Sequence, residues 1–466
     1  MQALARALVV RRDRPHLLVL GIALFLLLAT VVLGVSVPTV FTGLAILAAA
    51  LATLIKPEIG VHVLVVNALV GLTHVMEMPR IGPLSAPIVI EAFLMAALAF
   101  QAAFLRKRVP FGTLQHLLMG LLAAWILISL FAGAFVGPDN FQEYRNLFLV
   151  RLVIFLLVSG VMTTLAHVRR LIATFMISNV GLLAVAGAVR LGYFGQEKVI
   201  TSQELERTGA LVQNPNELAF HLTTMMVLCV FTLLGSRSMT VKLAMLALAA
   251  ADLFGIMSTL SRSGFISMCV VVAFLLVKLT RNVRALGVMA LLLAAGWLMV
   301  PEALFTRFAR IDEVKDVDRV KISQVGAAMA LDNPVTGVGL GNYVKVFWDY
   351  NVSNMKRAAP SHNMYLDLAA QMGLPALGLY LAILVVTWRG VRKVERDLAA
   401  QGRTRSFAYL FALAMQAFLV NLAVFGLSGD VEFDYSAFVL LGMTLTLLRA
   451  HREGRTLEGA SPAEAR

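Results

Sequence analysis

The chain has 466 residues, 59% hydrophobic and 14% charged, with a mean hydropathy of +0.82. Soluble domains run nearer 45–50% apolar and about 25% charged, so a soluble globular enzyme and a disordered chain are both excluded. The net charge of +13 invites a nucleic-acid reading, which fails once the charges are placed along the chain.

A spanning helix takes roughly 20 residues, and in lipid the backbone must satisfy its own hydrogen bonds. In chain order, apolar runs lie near 17–35, 39–55, 59–74, 86–104, 114–135, 147–165 and 171–190. They continue near 217–235, 243–260, 265–279, 285–300, 364–387, 406–427 and 435–448. The runs 59–74 and 265–279 are short for the hydrocarbon core, so the prediction is an all-α polytopic bundle of 12–14 transmembrane helices. The start, Arg11-Arg12-Asp13-Arg14 before Leu17–Val35, has the outline of a signal peptide, but its apolar run is too long and reads as a retained first helix.

With the N-terminus in the cytoplasm, the inward loops carry 25 of the 40 lysines and arginines. The short outward loops carry five, and the long segment 301–361 adds eight. The bias never breaks register, so both termini are expected in the cytoplasm. Positive charge is then a topology signal and a headgroup anchor, and no nucleic-acid partner is expected. Cys229 and Cys269 sit in apolar runs and read as small hydrophobes.

Two outward segments exceed ordinary connectors, 191–216 and 301–361. The second contains a helical stretch, Val320–Leu331, stopped by Asp332-Asn333-Pro334, then a turn-rich Gly337-Val338-Gly339-Leu340-Gly341. That Gly run lacks the setting of a dinucleotide site and reads as a turn. The outward side thus collects Arg207, Arg262, Arg319 and His362. Arg262 stands in a four-residue connector, Ser261–Gly264, where a guanidinium suits bidentate capture of phosphate oxygens or an ion pair. His362 has the side chain for proton transfer near neutral pH, and Asn363 beside it can orient a sugar hydroxyl. Asn214 and Asn216 around Pro215 read as a turn and cap, with substrate contact as the alternative. His74, His116 and His221 read as satisfied bundle histidines, and no ligand spacing points to a metal. Arg151, Asp252 and Glu91, inside apolar runs, read as helix-packing ion pairs or a transport path.

Four stretches carry a resemblance: Arg207–Asn216 (RTGALVQNPN), Ser261–Gly264 (SRSG), Asp332–Tyr343 (DNPVTGVGLGNY) and Ser361–Tyr365 (SHNMY) running on to Gly373. In order and spacing these resemble the O-antigen ligase family, whose superfamily also holds polysaccharide polymerases and protein O-oligosaccharyltransferases. His362-Asn363 followed by Gly373 fits the family pattern, whereas Ala376 stands where the family has Gly, Thr or Tyr. Arg207 with Leu211 fits a family spacing that Arg319 with Ser323 does not.

The resemblance implies a metal- and cofactor-independent, inverting glycan transfer on the periplasmic face of a bacterial inner membrane. The donor would be a glycan on undecaprenyl diphosphate. The acceptor would be a hydroxyl of lipid A–core, as in lipopolysaccharide assembly, or of another glycan. It implies His362, Arg262 and Arg319 as catalytic residues. Arg207, Asn214, Asn216, Asn363, Gly339, Gly341 and Tyr365 would contact substrate. The expected organisation is 1–190 as N-terminal transmembrane helices, 191–448 as a ligase-like core and 449–466 as a cytoplasmic tail. A polymerase of the same superfamily is the near alternative, and a transporter of lipid-linked glycan or solute is the alternative of another class.

Overall fold

A computed structural model describes residues 56–70, 86–103, 110–137, 140–190, 215–279, 313–350 and 357–455, with isolated positions at 48–49, 52–53, 287 and 294. The spans expected at 17–35, 39–55 and 285–300 lie wholly or largely outside these residues, as do Arg207 and Asn214. The described residues form helices and connections with no strand. The helices are α1 (Pro57–Val70), α2 (Ala86–Ala103), α3 (Leu114–Ala132), α4 (Val150–Val161), α5 (Leu165–Arg190) and α6 (Pro215–Gly235). They continue as α7 (Met239–Ser258), α8 (Arg262–Leu279), α9 (Glu313–Asp332), α10 (Met364–Ala400), α11 (Phe407–Phe425) and α12 (Tyr435–Arg452). Seven of these, α3, α5, α6, α7, α8, α10 and α11, are long and apolar enough to cross a membrane. The chain is a polytopic helical membrane protein.

Helices α6 and α11 form the centre, with most of their residues buried on every side. A helix apolar all round belongs in such a core. Around them, α7, α8 and α10 leave one face outward, with Phe254 and Val277 exposed. Exposed apolar side chains at these positions fit a lipid solvent.

Three boundaries differ from the sequence reading. Helix α10 runs through Ala400, where a loop is expected from 388. Its last turns bury Val391, Val394 and Leu398 and are tied by Lys278–Glu395 (2.7 Å) and His451–Asp397 (2.8 Å). Charge there marks the outer face of one amphipathic helix rather than its end. The run 147–165 is broken into a π-helical turn, Tyr144–Leu149, and the short α4, because Phe148 and Arg151 turn toward other partners. In the segment expected to face outward, α9 starts at Glu313, earlier than the apolar pattern shows, since its first turns are polar.

Helix α10 is also bent at Gly373 (φ 81°, ψ 168°), two residues before Pro375. Proline has no N–H to give the carbonyl four residues back, so the Gln371 carbonyl is left over. It accepts the Gly339 N–H at 2.9 Å, and the Ala370 carbonyl accepts the Val338 N–H at 2.9 Å. Leu374 N–H in turn donates to the Pro334 carbonyl at 2.8 Å. The glycine-rich turn is therefore seated in the kink of α10. Gly337 and Gly373 both have positive φ, and a Cβ on either would collide with the opposing backbone, which makes glycine the fitting residue at both.

Candidate active site

His362 stands one residue before the N-cap of α10, with a left-handed φ of 52° that is unusual for a residue with a Cβ. The surrounding bonds hold it there. Asn363 caps α10 by accepting from the Tyr365 and Leu366 N–H groups, both at 3.1 Å. Its amide donates to the Leu427 carbonyl (3.3 Å), Met364 N–H donates to the Gly426 carbonyl (2.8 Å), and Tyr365 Oη donates to the Ala423 carbonyl (2.8 Å). The start of α10 is thus fastened to the end of α11 and the turn after it. That turn brings Asp430, whose Oδ2 lies 2.9 Å from His362 Nδ1. The His362 side chain remains 44% exposed, open to a reacting partner.

Behind Asp430 lies a cavity of about 440 Å³. Its wall includes Glu217 and His221 of α6, Arg151 of α4, Gly341 and Tyr343 after the glycine turn, and Asp367 and Gln371 of α10. The connector between α11 and α12 adds Asp430, Glu432 and Asp434. Five carboxyl side chains thus face one guanidinium and one imidazole. The carboxyl groups of Asp367 and Asp430 line the same cavity. Asp434 is bound by His221 Nε2 at 3.1 Å, and Ser436 Oγ donates to its other oxygen at 2.6 Å. Burial opposes the charge on Asp434, but the His221 imidazole and these hydrogen bonds outweigh it and hold the carboxyl below its usual range. Glu432, without such a partner, is pushed well above the carboxylate range by burial and by the neighbouring Asp367 and Asp430. Burial also raises the Tyr343 phenol, whose Oη donates to the Ile322 carbonyl at 2.8 Å.

The residues singled out in the sequence fall around this cavity in unequal ways. Gly341 lines it, and its N–H donates to Gln371 Oε1 at 2.8 Å. Gly339 is buried, with its N–H committed to the α10 kink. Asn216, at the start of α6, accepts from Ser261 Oγ at 2.8 Å and precedes the wall residue Glu217. Ser261 caps α8 by accepting the Gly264 N–H (3.1 Å), so Arg262 is the first residue of a helix rather than part of a connector. Arg262 is partly buried there. Glu217 feels the charge of His362 as well as those of His221 and the acidic wall, so α6, α10 and the α11–α12 connector meet at one end of the bundle. Arg319 is exposed on α9, three residues before Ile322. Tyr365 and Asn363 hold the His362 turn in place.

Arg151 and His221, read as bundle residues, both reach the cavity while also bonding locally: Arg151 Nε donates to the Phe433 carbonyl at 3.1 Å. The acidic wall was missed. Its one signal was the connector 428–434, which carries three carboxylates and no cation. Among the described residues, no group of three or more His, Cys, Asp or Glu side chains is arranged to hold a metal ion.

The glycine-seated turn, the first turn of α8 and the His362 turn all lie within or beside the segment that a family model matches. Residues 245–381 match the model described as O-antigen ligase. This segment is similar to the O-antigen ligase family. The match takes in Arg262, Arg319 and His362 together with the kink of α10, while Asp430 and the acidic connector lie beyond it. No curated protein matches the chain. The likeness of this segment to the O-antigen ligase family points to glycan transfer within a membrane.

Proposed function

We propose that the protein transfers a glycan from undecaprenyl diphosphate to a sugar hydroxyl, with His362 as general base. The observation that carries this reading is the His362 turn, an exposed imidazole held by Asp430, with His362 inside the segment that is similar to the O-antigen ligase family. A carboxylate at Nδ1 accepts the Nδ1–H hydrogen bond there, keeping the ring proton on Nδ1 and the lone pair on Nε2. Nε2 then accepts the acceptor's hydroxyl proton as its oxygen attacks the anomeric carbon. The bond from that carbon to the diphosphate oxygen breaks, and the lipid diphosphate leaves. Attack opposite the leaving group inverts the anomeric centre.

The leaving diphosphate needs neutralisation, which preorganised guanidinium groups supply. Arg262, Arg319 and Arg207 are assigned that role; Arg262 follows Ser261, whose Oγ donates to Asn216 at the start of α6. The acidic wall suits the acceptor, since carboxyl oxygens accept hydrogen bonds from sugar hydroxyls. The loop charges support a periplasmic location for this end of the bundle, in an inner membrane with both termini in the cytoplasm.

The test is transfer by the purified chain in proteoliposomes, with a lipid-linked glycan and lipid A–core as substrates. Loss of product in His362→Ala supports the reading, and full transfer by that variant refutes it. Gene deletion separates the two acceptors. Single repeats and polymer made but not attached to core identify a ligase. Attached single repeats with no polymer identify a polymerase.

A further inference from the structure

A second cavity, of about 530 Å³, lies at the end of the bundle opposite His362. Its depth is apolar, with Ile172, Met176, Leu228, Phe231, Leu410 and Phe411 in the wall. Arg169 and Arg405 stand in the lining, and among the described residues no carboxylate does. The two cations belong to one mouth: the Arg169 guanidinium lies 4.8 Å from the centre of the Phe407 ring, two residues after Arg405. Three of the four helices around the mouth begin there, α5 at Leu165, α7 at Met239 and α11 at Phe407. Among the described helices there, only α6 ends at the mouth, at Gly235. Helix starts carry partial positive charge, so the backbone adds to the two guanidinium groups.

The cavity is deep as well as basic. Met176 is seven residues along α5 from Arg169, and Leu228 is seven residues from the end of α6 at Gly235. At the helical rise that is about 10 Å below the mouth. Ile177 in the same wall is 71% exposed, so the side of the cavity opens toward the lipid. A soluble anion has no use for the apolar depth, and an uncharged lipid has none for the basic rim.

From these observations we propose that this cavity binds an anionic phospholipid, with an acyl chain against Met176 and Leu228 and the phosphate between Arg169 and Arg405. Basic pockets between transmembrane helices at the cytoplasmic face take such headgroups, and the loop charges give this end of the bundle to the cytoplasm. The site is independent of the transfer reading.

The test is native mass spectrometry of the full-length chain in detergent, titrated with dioleoyl phosphatidylglycerol and with dioleoyl phosphatidylcholine. Both lipids carry the same tails. The wild type should hold phosphatidylglycerol about 30-fold more tightly, the contribution of two cations near a headgroup, and that preference should weaken with salt. Arg169→Gln with Arg405→Gln should reduce the ratio to about twofold or less, while Arg169→Lys with Arg405→Lys should keep most of it. Equal affinity of the wild type for both lipids overturns the proposal, as does an unchanged ratio in the glutamine variant. Tighter binding of undecaprenyl phosphate than of phosphatidylglycerol at this site would also overturn it. Should the glutamine variant fail to fold, Ala414→Trp, which fills the cavity and leaves both cations, should lose phosphatidylglycerol binding; retained binding refutes the site.

Discussion

His362 Nδ1 and Asp430 Oδ2 meet at 2.9 Å across 68 residues of chain. Their meeting depends on the Asn363, Met364 and Tyr365 bonds that tie α10 to the end of α11. Asp430→Asn replaces an acceptor with a group that can donate, which favours the tautomer carrying its proton on Nε2. The rate of transfer should fall by about 10²–10⁴-fold, with donor KM within about twofold. The pH–rate profile should move with it, and Asp430→Glu should recover part of the rate. An unchanged profile in Asp430→Asn would remove Asp430 from the positioning of His362.

Arg262 and Arg319 differ in setting, one partly buried beside Asn216 and the other exposed on α9. Arg262→Gln should therefore reduce kcat by about 10²-fold, as loss of a preorganised donor does. Arg319→Gln, more screened by solvent, should act less. Single-turnover rates with a lipid-diphosphate donor measure both, and the reverse order would assign the diphosphate to α9.

Gly373 holds the kink that seats the glycine turn, with φ of 81° and the Val335 carbonyl against the place of a Cβ. Gly373→Ala should destabilise the purified protein by about 2 kcal/mol or more. Gly378, five residues along the same helix, has open space around its Cβ position, and Gly378→Ala should be neutral or slightly stabilising. Thermal unfolding in detergent compares the two, and equal effects would dismiss the kink as the cause.

Glu432 keeps its proton in the fold to a higher pH than it does in the unfolded chain. Stability from that difference is complete below about pH 4 and is lost as pH rises above the unfolded value of about 4.3. Glu432→Gln removes the loss. The variant should match the wild type near pH 4 and unfold at least about 2 °C higher near pH 8.

Asp434 behaves in the opposite sense, since its folded carboxyl titrates below the usual range beside His221. Its contribution is present above about pH 3.9 and disappears as pH falls through the folded value. Asp434→Asn should lower the melting temperature at pH 7 and approach the wild type in strong acid. A constant difference across that range would show that packing, not charge, holds the pair.

The sequence by itself determined the kind of protein. Long apolar runs can only be helices in lipid, and the cations between them mark one side, because each run and each loop charge is a local property of the chain. His362-Asn363, Ser261–Gly264 and the glycine turn were legible for the same reason, as compact motifs with fixed spacing. The tertiary structure decided what stands opposite them. Asp430, Glu432 and Asp434 looked like a connector poor in cations until the end of α11 brought them to His362 and His221. Arg151 and Glu217 joined the same wall from helices far apart in sequence. Gly339 proved to be seated in a kink, because a proline four residues beyond Gln371 freed the carbonyl that its N–H fills. Such pairings rest on distance in space, and a periodic apolar pattern fixes which face of a helix is buried without fixing which residues it meets.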